Sequence, residues 1–368
     1  MRRVGKTTLY RTIFDQIEGK NKVFLDLENP VMQKAFEEKD YNNIVVNLKE
    51  FGLTSEKKAF IFLDEIQAMP EISRAIKYLY DHYRFKFFLT GSSSYYLKSL
   101  FPESLAGRKF VFELYPLDFE EFLVFKGKKR AGQKTFAEKD KSKNSVRYEL
   151  LKGLYDEYLR YGGFPQVVLE TDTGRKRLHL EDIFKSYFEK DVRGLAKFRE
   201  IQLFRDLLLL LMSRTASKLD VSRLASQLGT SRETVYSYLS FLEGTFFIAL
   251  VQPFTKSIDK SISKAKKVYF CDTGILNVFA KVNEGLLFEN AVFNNLRQMG
   301  YIRYYQKPSG REIDFIVNGN TGFEVKLKGL LKDVHRLQMM AKKIKLKESY
   351  VVTKQFSNGA GFIPAVDL

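Results

Sequence analysis

Three stretches of this 368-residue chain hold residue types at spacings that chemistry can use. The chain opens MRRVGKTTLY, and Val4-Gly5-Lys6-Thr7-Thr8 reads as the second half of a phosphate-binding loop. In such a loop, successive backbone N–H groups backed by a helix N-terminus surround phosphates. Gly5, Lys6, Thr7 and Thr8 would form the cradle. Lys6 would neutralise the β- and γ-phosphates, Thr7 would hold Mg2+ through its hydroxyl, and Thr8 would open the helix. The full pattern places a first glycine one position before Met1, and a strand before that. Four residues alone recur often by chance, so the companions matter. AFIFLDEIQ is an apolar strand ending in Asp64-Glu65, where Asp64 would bind Mg2+ through water and Glu65 would orient an attacking water. FKFFLTGSSS is another, ending in Thr90-Gly91-Ser92, where a polar side chain such as Ser92 could sense a γ-phosphate. Each has a plainer reading. The first is then a buried strand with a polar end, the second a strand-to-helix turn capped by Ser92 or Ser93. All three in this order are much less easily explained that way.

The second stretch is GREIDFIVNGNTGFEVKLK, two alternating strands around a turn-rich connection. Asp314 lies on the first strand. Glu324 and Lys326, two apart, share a face of the second. Asp…Glu-x-Lys suits metal-dependent phosphodiester cleavage: two carboxylates hold Mg2+, which generates hydroxide, and the lysine stabilises the developing charge. Glu289, in LFENAVFNNL, would add an acidic ligand from the preceding helix. Exposed acids and lysines on a hairpin are ordinary, so the motif leans on its surroundings: helix, strand, strand, strand, helix, strand. Gln306, Lys307 and Arg311 read as a solvated basic hairpin, with phosphate contacts as the alternative.

The third stretch, LDVSRLASQLGTSRETVYSYLSFLE, has the grammar of a helix-turn-helix. Residues 221–228 form the first helix, Gly229 makes the turn, and Thr230 with Glu233 forms a capping box. Val235, Leu239 and Leu242 fall on an inward face, leaving Arg232, Tyr236, Ser237 and Ser240 outside to meet DNA phosphates and base edges. TFFIALV would follow as a first wing strand. Docking against protein is the other use of such a module.

The elements that must position these residues fall into three blocks. Residues 1–125 alternate short apolar strands, expected at 22–27, 59–64, 85–90 and 109–114, with amphipathic stretches, the pattern of a parallel α/β sheet. Residues 126–145 read as a charged linker, 146–260 as a helical region with the winged helix, and 261–368 as an αβββαβ domain. With 45% hydrophobic and 29% charged residues the composition is that of a soluble globular protein. No apolar run approaches the ~20 residues needed to span a bilayer, and no signal peptide is visible. A cytoplasmic chain with no membrane partner is expected. A single cysteine, Cys271, excludes an internal disulfide, and with three histidines it argues against structural zinc. The formal charge of +17 favours a polyanionic partner, nucleic acid first, unless it is simply a lysine-rich surface.

At this point the chain resembles the prokaryotic AAA-type P-loop ATPases with a C-terminal domain of uncharacterised function. RRVGKTTL, IFLDEIQ, FLTGSSS and above all LAGRKFVFELYPLDFEEFL carry the resemblance, and YGGFPQVVLE, YFEKDV and YFCDTGIL extend it over nearly the whole chain. It implies a P-loop NTPase-like parallel sheet, Walker A residues at Lys6 and Thr7, Walker B residues at Asp64 and Glu65, and ATP with Mg2+ as cofactors. Arg108 would be a trans-acting or sensor residue, with a surface arginine after Gly107 as the alternative. It also implies a restriction-endonuclease-like fold at the C-terminus and ATP-driven action on nucleic acid. A DNA or DNA-bound partner is expected, with a protein partner or homo-oligomer as further options. The one departure is the missing strand and first glycine, for which a mis-assigned start or truncated gene is expected rather than a redesign. An unanchored loop must be ordered at ~1–2 kcal/mol per residue. Two other functions fit the same residues: a Mg-dependent DNA nuclease or resolvase using Glu289, Asp314, Glu324 and Lys326, and a non-catalytic DNA-binding or docking protein.

Overall fold

The computed structural model describes residues 1–91, 109–130, 132, 134–193, 201–255 and 264–368. The chain forms two compact units, one of residues 1–114 with 244–246, the other of residues 115–243 with 247–368.

The first unit is a three-layer α/β arrangement. Helix α1 (Lys6–Gln16) leads into β1 (Lys22–Asp26), α2 (Pro30–Lys34), α3 (Tyr41–Lys49), β2 (Ala59–Asp64), α4 (Ile72–His82) and β3 (Phe85–Leu89). The strands form a parallel sheet in the order β1-β2-β3. Strand alternation explains the layers, because successive side chains point to opposite faces. Phe24 and Phe62 face α1, which lays Phe14 edge-on against both, with Tyr10 edge-on to Phe62. Phe88 stacks on Phe62 with ring centroids 4.3 Å apart. On the other face Leu25, Ile61 and Leu63 share a core with Ile44, Leu48, Ile72, Ile76 and Leu79. The β2 strand is therefore buried on both sides, and its polar end, Asp64, is held at the sheet's C-terminal edge. Residues 109–114, expected as a fourth strand, carry no strand. Phe110 and Phe112 are about nine-tenths exposed, at 91% and 90%.

The second unit contains α5 (Phe119–Phe125), α6 (Phe136–Ser142), α7 (Ser145–Tyr161), α8 (Pro165–Leu169), α9 (Thr173–Ser186), α10 (Ile201–Met212), α11 (Val221–Leu228) and α12 (Arg232–Gly244). Next come β4 (Ile248–Pro253), β5 (Lys267–Phe270), α13 (Thr273–Phe279), α14 (Glu284–Leu296), β6 (Ile302–Gln306), β7 (Glu312–Val317), β8 (Thr321–Lys326), α15 (Leu331–Lys343), β9 (Glu348–Thr353) and β10 (Phe362–Pro364). From α14 to β9 the order is the expected helix, three strands, helix, strand. The strands join one seven-stranded sheet, β10-β9-β8-β7-β6-β4-β5. Phe288, Ala291 and Val292 of α14 cover Phe315, Phe323 and Val325, while Val334, Leu337 and Met340 of α15 share a core with Ile316 and Val351.

Two boundary expectations change. The strand after the helix pair, expected as a wing, is β4, which pairs antiparallel with β5 and parallel with β6. It is too apolar to stand as an exposed wing, and it takes a place inside the large sheet, so the expected division near residue 260 falls within one sheet. The charged stretch 126–145, expected as a linker, carries α6, capped by Thr135 and Glu138. Its Phe136 lies edge-on to Phe323, and Asp140 accepts from Gly361 N–H at 3.0 Å. The apolar and acidic positions hidden among its lysines make it part of the second unit.

YGGFPQ and YFCDTG, two stretches that carried the resemblance, form one backbone junction. Asp272 is buried and caps α13, accepting from Ile275 N–H at 3.1 Å and from Gly163 N–H at 2.7 Å. A Cβ on Gly162 would lie 2.1 Å from the Asp272 carboxylate, one on Gly163 2.0 Å from Leu117 O, and one on Gly274 2.2 Å from Tyr161 O. Those glycines are required by close approach, so this conspicuous motif is structural. Burial raises the Asp272 carboxyl to about 6, against the N–H donors that pull it down.

Candidate functional site

In the first unit, the phosphate-loop residues and the end of β2 meet. Gly5 stands before α1 with φ 94°, a left-handed conformation that glycine adopts without strain. No side chain caps α1 and its first turn holds no acid, so the helix's positive end keeps its field. Thr7 Oγ1 donates to Asp64 Oδ2 at 2.6 Å, joining residues 57 apart in sequence. Asp64 is 3% exposed. Its Oδ1 accepts from Thr90 Oγ1 and from Glu65 N–H at 3.1 Å. Thr90 N–H donates to Leu63 O, and Thr90 O accepts from Ile66 N–H, which pins Thr90 beside the β2 end.

Asp64 is thus fully engaged by neutral donors, and it forms no ion pair among the described residues. Its field reaches Tyr10, whose hydroxyl donates to Leu89 O at 2.6 Å. Burial, then Asp64, pushes the Tyr10 phenol up to about 12. Glu65 has φ 53°, a left-handed conformation in a residue with a β-carbon, and its carboxylate accepts from Gln67 Nε2. Arg3 is also left-handed, at φ 59°. Strained residues of this kind cost on the order of 1–3 kcal/mol each and gather where the surrounding structure fixes a functional geometry. Lys6 is half-buried, and its Nζ donates to Met1 O at 2.7 Å. Thr8 is exposed on the first turn. Ser92 and Arg108 lie outside the described residues. Thr90, one of the polar residues at the end of its strand, is the group on Asp64.

In the second unit, Glu289, Asp314, Glu324 and Lys326 also come together, with a residue that spacing did not single out. Lys267, at the start of β5 and 3% exposed, forms ion pairs with Glu312 at 2.9 Å, Glu289 at 3.2 Å and Asp314 at 3.9 Å. Tyr269 donates to Glu289 at 2.7 Å, and Asp314 accepts from Val325 N–H at 2.8 Å. Glu324 pairs with Lys326 at 3.1 Å and with Arg336 of α15. Burial, then Glu289, raises the Asp314 carboxyl well above the carboxylate range. Burial pushes the Lys267 ammonium down, but Glu289, Asp314 and Glu312 together outweigh it and hold it above the ordinary lysine range. Lys326 moves up likewise, with Glu324 and then Asp314 exceeding the effect of burial. Among the described residues no group of three or more acids, histidines or cysteines is arranged to hold a metal ion. Lys267 had a readable signal: a lysine beginning an otherwise apolar strand, KVYF, must find buried acids or leave the core.

The helix pair is α11 and α12. Gly229 ends α11 in the left-handed conformation, as the turn requires. The cap of α12 is Ser231, whose Oγ accepts from Thr234 N–H at 3.1 Å, and not Thr230. Thr230 instead donates its N–H to Ala225 O and closes the preceding helix. Val235, Leu239 and Leu242 are buried, and Arg232, Tyr236, Ser237 and Ser240 are exposed. Arg311 is exposed too and Lys307 is half-buried, while Gln306 accepts from Lys218. No helix among the described residues is long and apolar enough to cross a membrane.

Comparison with known proteins places family names on these regions. Residues 1–123 match the AAA domain family, residues 152–285 a domain of unknown function (DUF8612), and residues 284–359 a second domain of unknown function (DUF4143). An uncharacterized protein of Methanocaldococcus jannaschii is 32% identical over 300 residues, covering 77% of this chain. This chain spans 65% of that relative's length. An uncharacterized protein of Haemophilus influenzae is 27% identical over 329 residues, covering 86% of this chain and 77% of its own. The AAA domain match suggests an ATPase-type function for the N-terminal unit, and AAA domains in general use nucleotide with Mg2+.

Proposed function

We propose that the first unit binds ATP with Mg2+ and hydrolyses it, and that the chain uses this cycle on DNA or a DNA-bound partner. The observation that carries the ATPase reading is the 2.6 Å hydrogen bond from Thr7 to Asp64. It ties the residue that follows the loop lysine to the acid at the end of a buried strand, the pairing that a magnesium–nucleotide site needs.

The donor set fits the group. The first turn of α1 presents its N–H groups uncapped behind a left-handed glycine. The Asp64 carboxylate oxygens accept from hydroxyl and amide donors. Bound, the metal–nucleotide pair supplies the Lewis acid and the leaving group. Lys6 would neutralise phosphate charge after exchanging its bond to Met1 O. Thr7 would turn its hydroxyl oxygen to the metal, with Asp64 holding that hydroxyl and the metal's water. Glu65, set off the strand axis by its left-handed backbone, would orient the attacking water. Thr90 would keep Asp64 from rotating. Titration of a fluorescent ATP analogue and steady-state phosphate release test this reading. Lys6→Ala is expected to abolish both binding and turnover, and Asp64→Asn to abolish the Mg2+ dependence. Mg2+-stimulated turnover unchanged in both variants would overturn it.

The DNA part of the proposal rests on the exposed row Arg232, Tyr236, Ser237 and Ser240 along α12 and on the formal charge of +17. A helix that reads a groove presents such a row beside phosphate contacts. Binding to a labelled duplex across a salt series is expected to weaken in Arg232→Ala and Tyr236→Ala. Equal affinity in both variants would assign the row to protein docking.

A further inference from the structure

The residue types of Glu289, Asp314, Glu324 and Lys326 invite a divalent metal. Metal binding by carboxylates needs oxygens free to approach at about 2.0–2.1 Å in near-octahedral array for Mg2+. Here Glu289 and Asp314 already turn to the buried Lys267 ammonium, which Glu312 also meets. Glu289 further accepts from Tyr269, and Asp314 from Val325 N–H. Glu324, the acid a metal would need opposite Asp314, gives its Oε1 to Lys326 and Arg336, while its buried Oε2 has no hydrogen-bond partner among the described residues. Glu289, Glu312 and Glu324, with the raised Asp314 carboxyl, thus sit among three cations of the chain, Lys267, Lys326 and Arg336. A divalent ion entering between Glu289 and Asp314 would meet the buried Lys267 charge at close range. Between Glu289 and Asp314 the residues present do not fit a metal.

We infer that Lys267 is the resident cation of this centre, standing in for a divalent metal between Glu289 and Asp314, so that the second unit holds a metal-independent charged core where its motif suggests a nuclease. The replacement is chemically specific. A lysine tip offers three N–H donors, and three carboxylates surround this one. It cannot polarise a phosphate or activate a bound water as a divalent ion does. The centre therefore stores its acids in paired form, and removing the lysine alone should uncover a cation site that the wild-type chain conceals.

The test uses the full chain carrying Asp64→Asn, which silences the first unit, with Mn2+ as the probe and electron paramagnetic resonance of free Mn2+ as the readout. With Lys267 intact, Asp314→Asn is expected to leave Mn2+ binding unchanged. Lys267→Met is expected to tighten Mn2+ binding roughly 10- to 100-fold, the scale of changes beside metal ligands, and Asp314→Asn should then remove the gain. If Lys267→Met does not fold, the pair Lys267→Met with Glu312→Gln removes one positive and one negative charge, keeps Glu289 and Asp314, and should show the same gain. Mn2+ binding with Lys267 intact that Asp314→Asn abolishes would overturn the inference. Folded Lys267 variants with no gain would overturn it equally.

Discussion

Each unit buries an aspartate where a sheet meets a motif that looks catalytic, and the two aspartates are treated in opposite ways. Asp64 is surrounded by neutral donors: Thr7, Thr90 and the Glu65 amide. Asp314 lies near a buried ammonium and beside two further acids, Glu289 and Glu312, that the same ammonium binds. A neutral shell satisfies the lone pairs and leaves the charge to attract a cation. A charged shell meets the acid with a cation that the chain itself supplies. Residue identity at the motif is the same in kind, so the partner decides whether a carboxylate is poised for a ligand or committed to the fold.

The sharpest way to break this comparison is to remove the cation. Lys267→Ala leaves buried carboxylates without their counter-charge, and breaking a buried pair costs about 3–5 kcal/mol. Urea unfolding followed by circular dichroism is expected to register that loss. Asp64→Asn, in the neutral shell, removes a charge that no ion pair compensates, and its unfolding free energy should change by less than about 1.5 kcal/mol. Comparable losses in the two variants would mean that the two shells do not differ in kind.

Next in size is the effect of the residue beside each aspartate. Glu65→Gln keeps the Asp64 shell, because Glu65 donates to Asp64 through its backbone N–H. ATP binding should persist while turnover falls roughly 100- to 1,000-fold, as when a base that positions water is lost. Phosphate release under single-turnover conditions separates this from a binding defect. A matching Glu312→Gln change in the second unit should leave turnover untouched.

The ATPase-like half was legible because its signals are local. A lysine-threonine pair after glycine, and an acid ending an apolar strand, each state their role within a few residues, and three of the four strands expected in residues 1–125 occur. The second half was less legible because its decisive partner comes from elsewhere. Lys267 lies 45 residues from Glu312, and nothing near the hairpin announces it. The β4 strand was misplaced as a wing for the same reason: its apolar alternation is local, but its pairing with β6 is not. Thr90 was one of several polar residues in its turn, and only the fold shows which reaches Asp64.

A third buried carboxylate sharpens the comparison from between the two. Asp272 takes its hydrogen bonds from backbone N–H groups, with the buried Arg297 guanidinium near enough to pull it down slightly, and it is closed in by Gly162, Gly163 and Gly274. Burial therefore dominates and raises its carboxyl from 3.8 to about 6. The folded state then holds a proton that the unfolded chain releases near pH 4. Stability from this group is fully present below that pH and is lost as pH rises through about 6. The shift corresponds to about 2–3 kcal/mol at most. The unfolding free energy of wild type minus that of Asp272→Asn is expected to fall by this amount between pH 4 and pH 7. The difference between the two chains cancels Asp118, which burial also raises to about 6. A flat difference would mean that Asp272 takes up no proton on folding.

The smallest effect makes the finest test, since it deletes one hydroxyl from each shell. Thr90→Val keeps the volume and removes the donor to Asp64 Oδ1, leaving that oxygen with the Glu65 amide. Tyr269→Phe removes the donor to Glu289, which keeps its pair with Lys267. Each should cost about 1–2 kcal/mol of stability, the usual scale for a hydrogen bond to a charged group. Their functional consequences should part. In the neutral shell the hydroxyl is one of the few groups that aim the aspartate, so Thr90→Val is expected to lower turnover about tenfold, equivalent to about 1.4 kcal/mol, and to raise the Mg2+ concentration needed. In the charged shell the ammonium does the aiming, so Tyr269→Phe should leave ATP turnover and its Mg2+ dependence as they are. Turnover that falls equally in both variants would mean that the second centre serves the ATPase directly, and that its paired charges are part of the machinery.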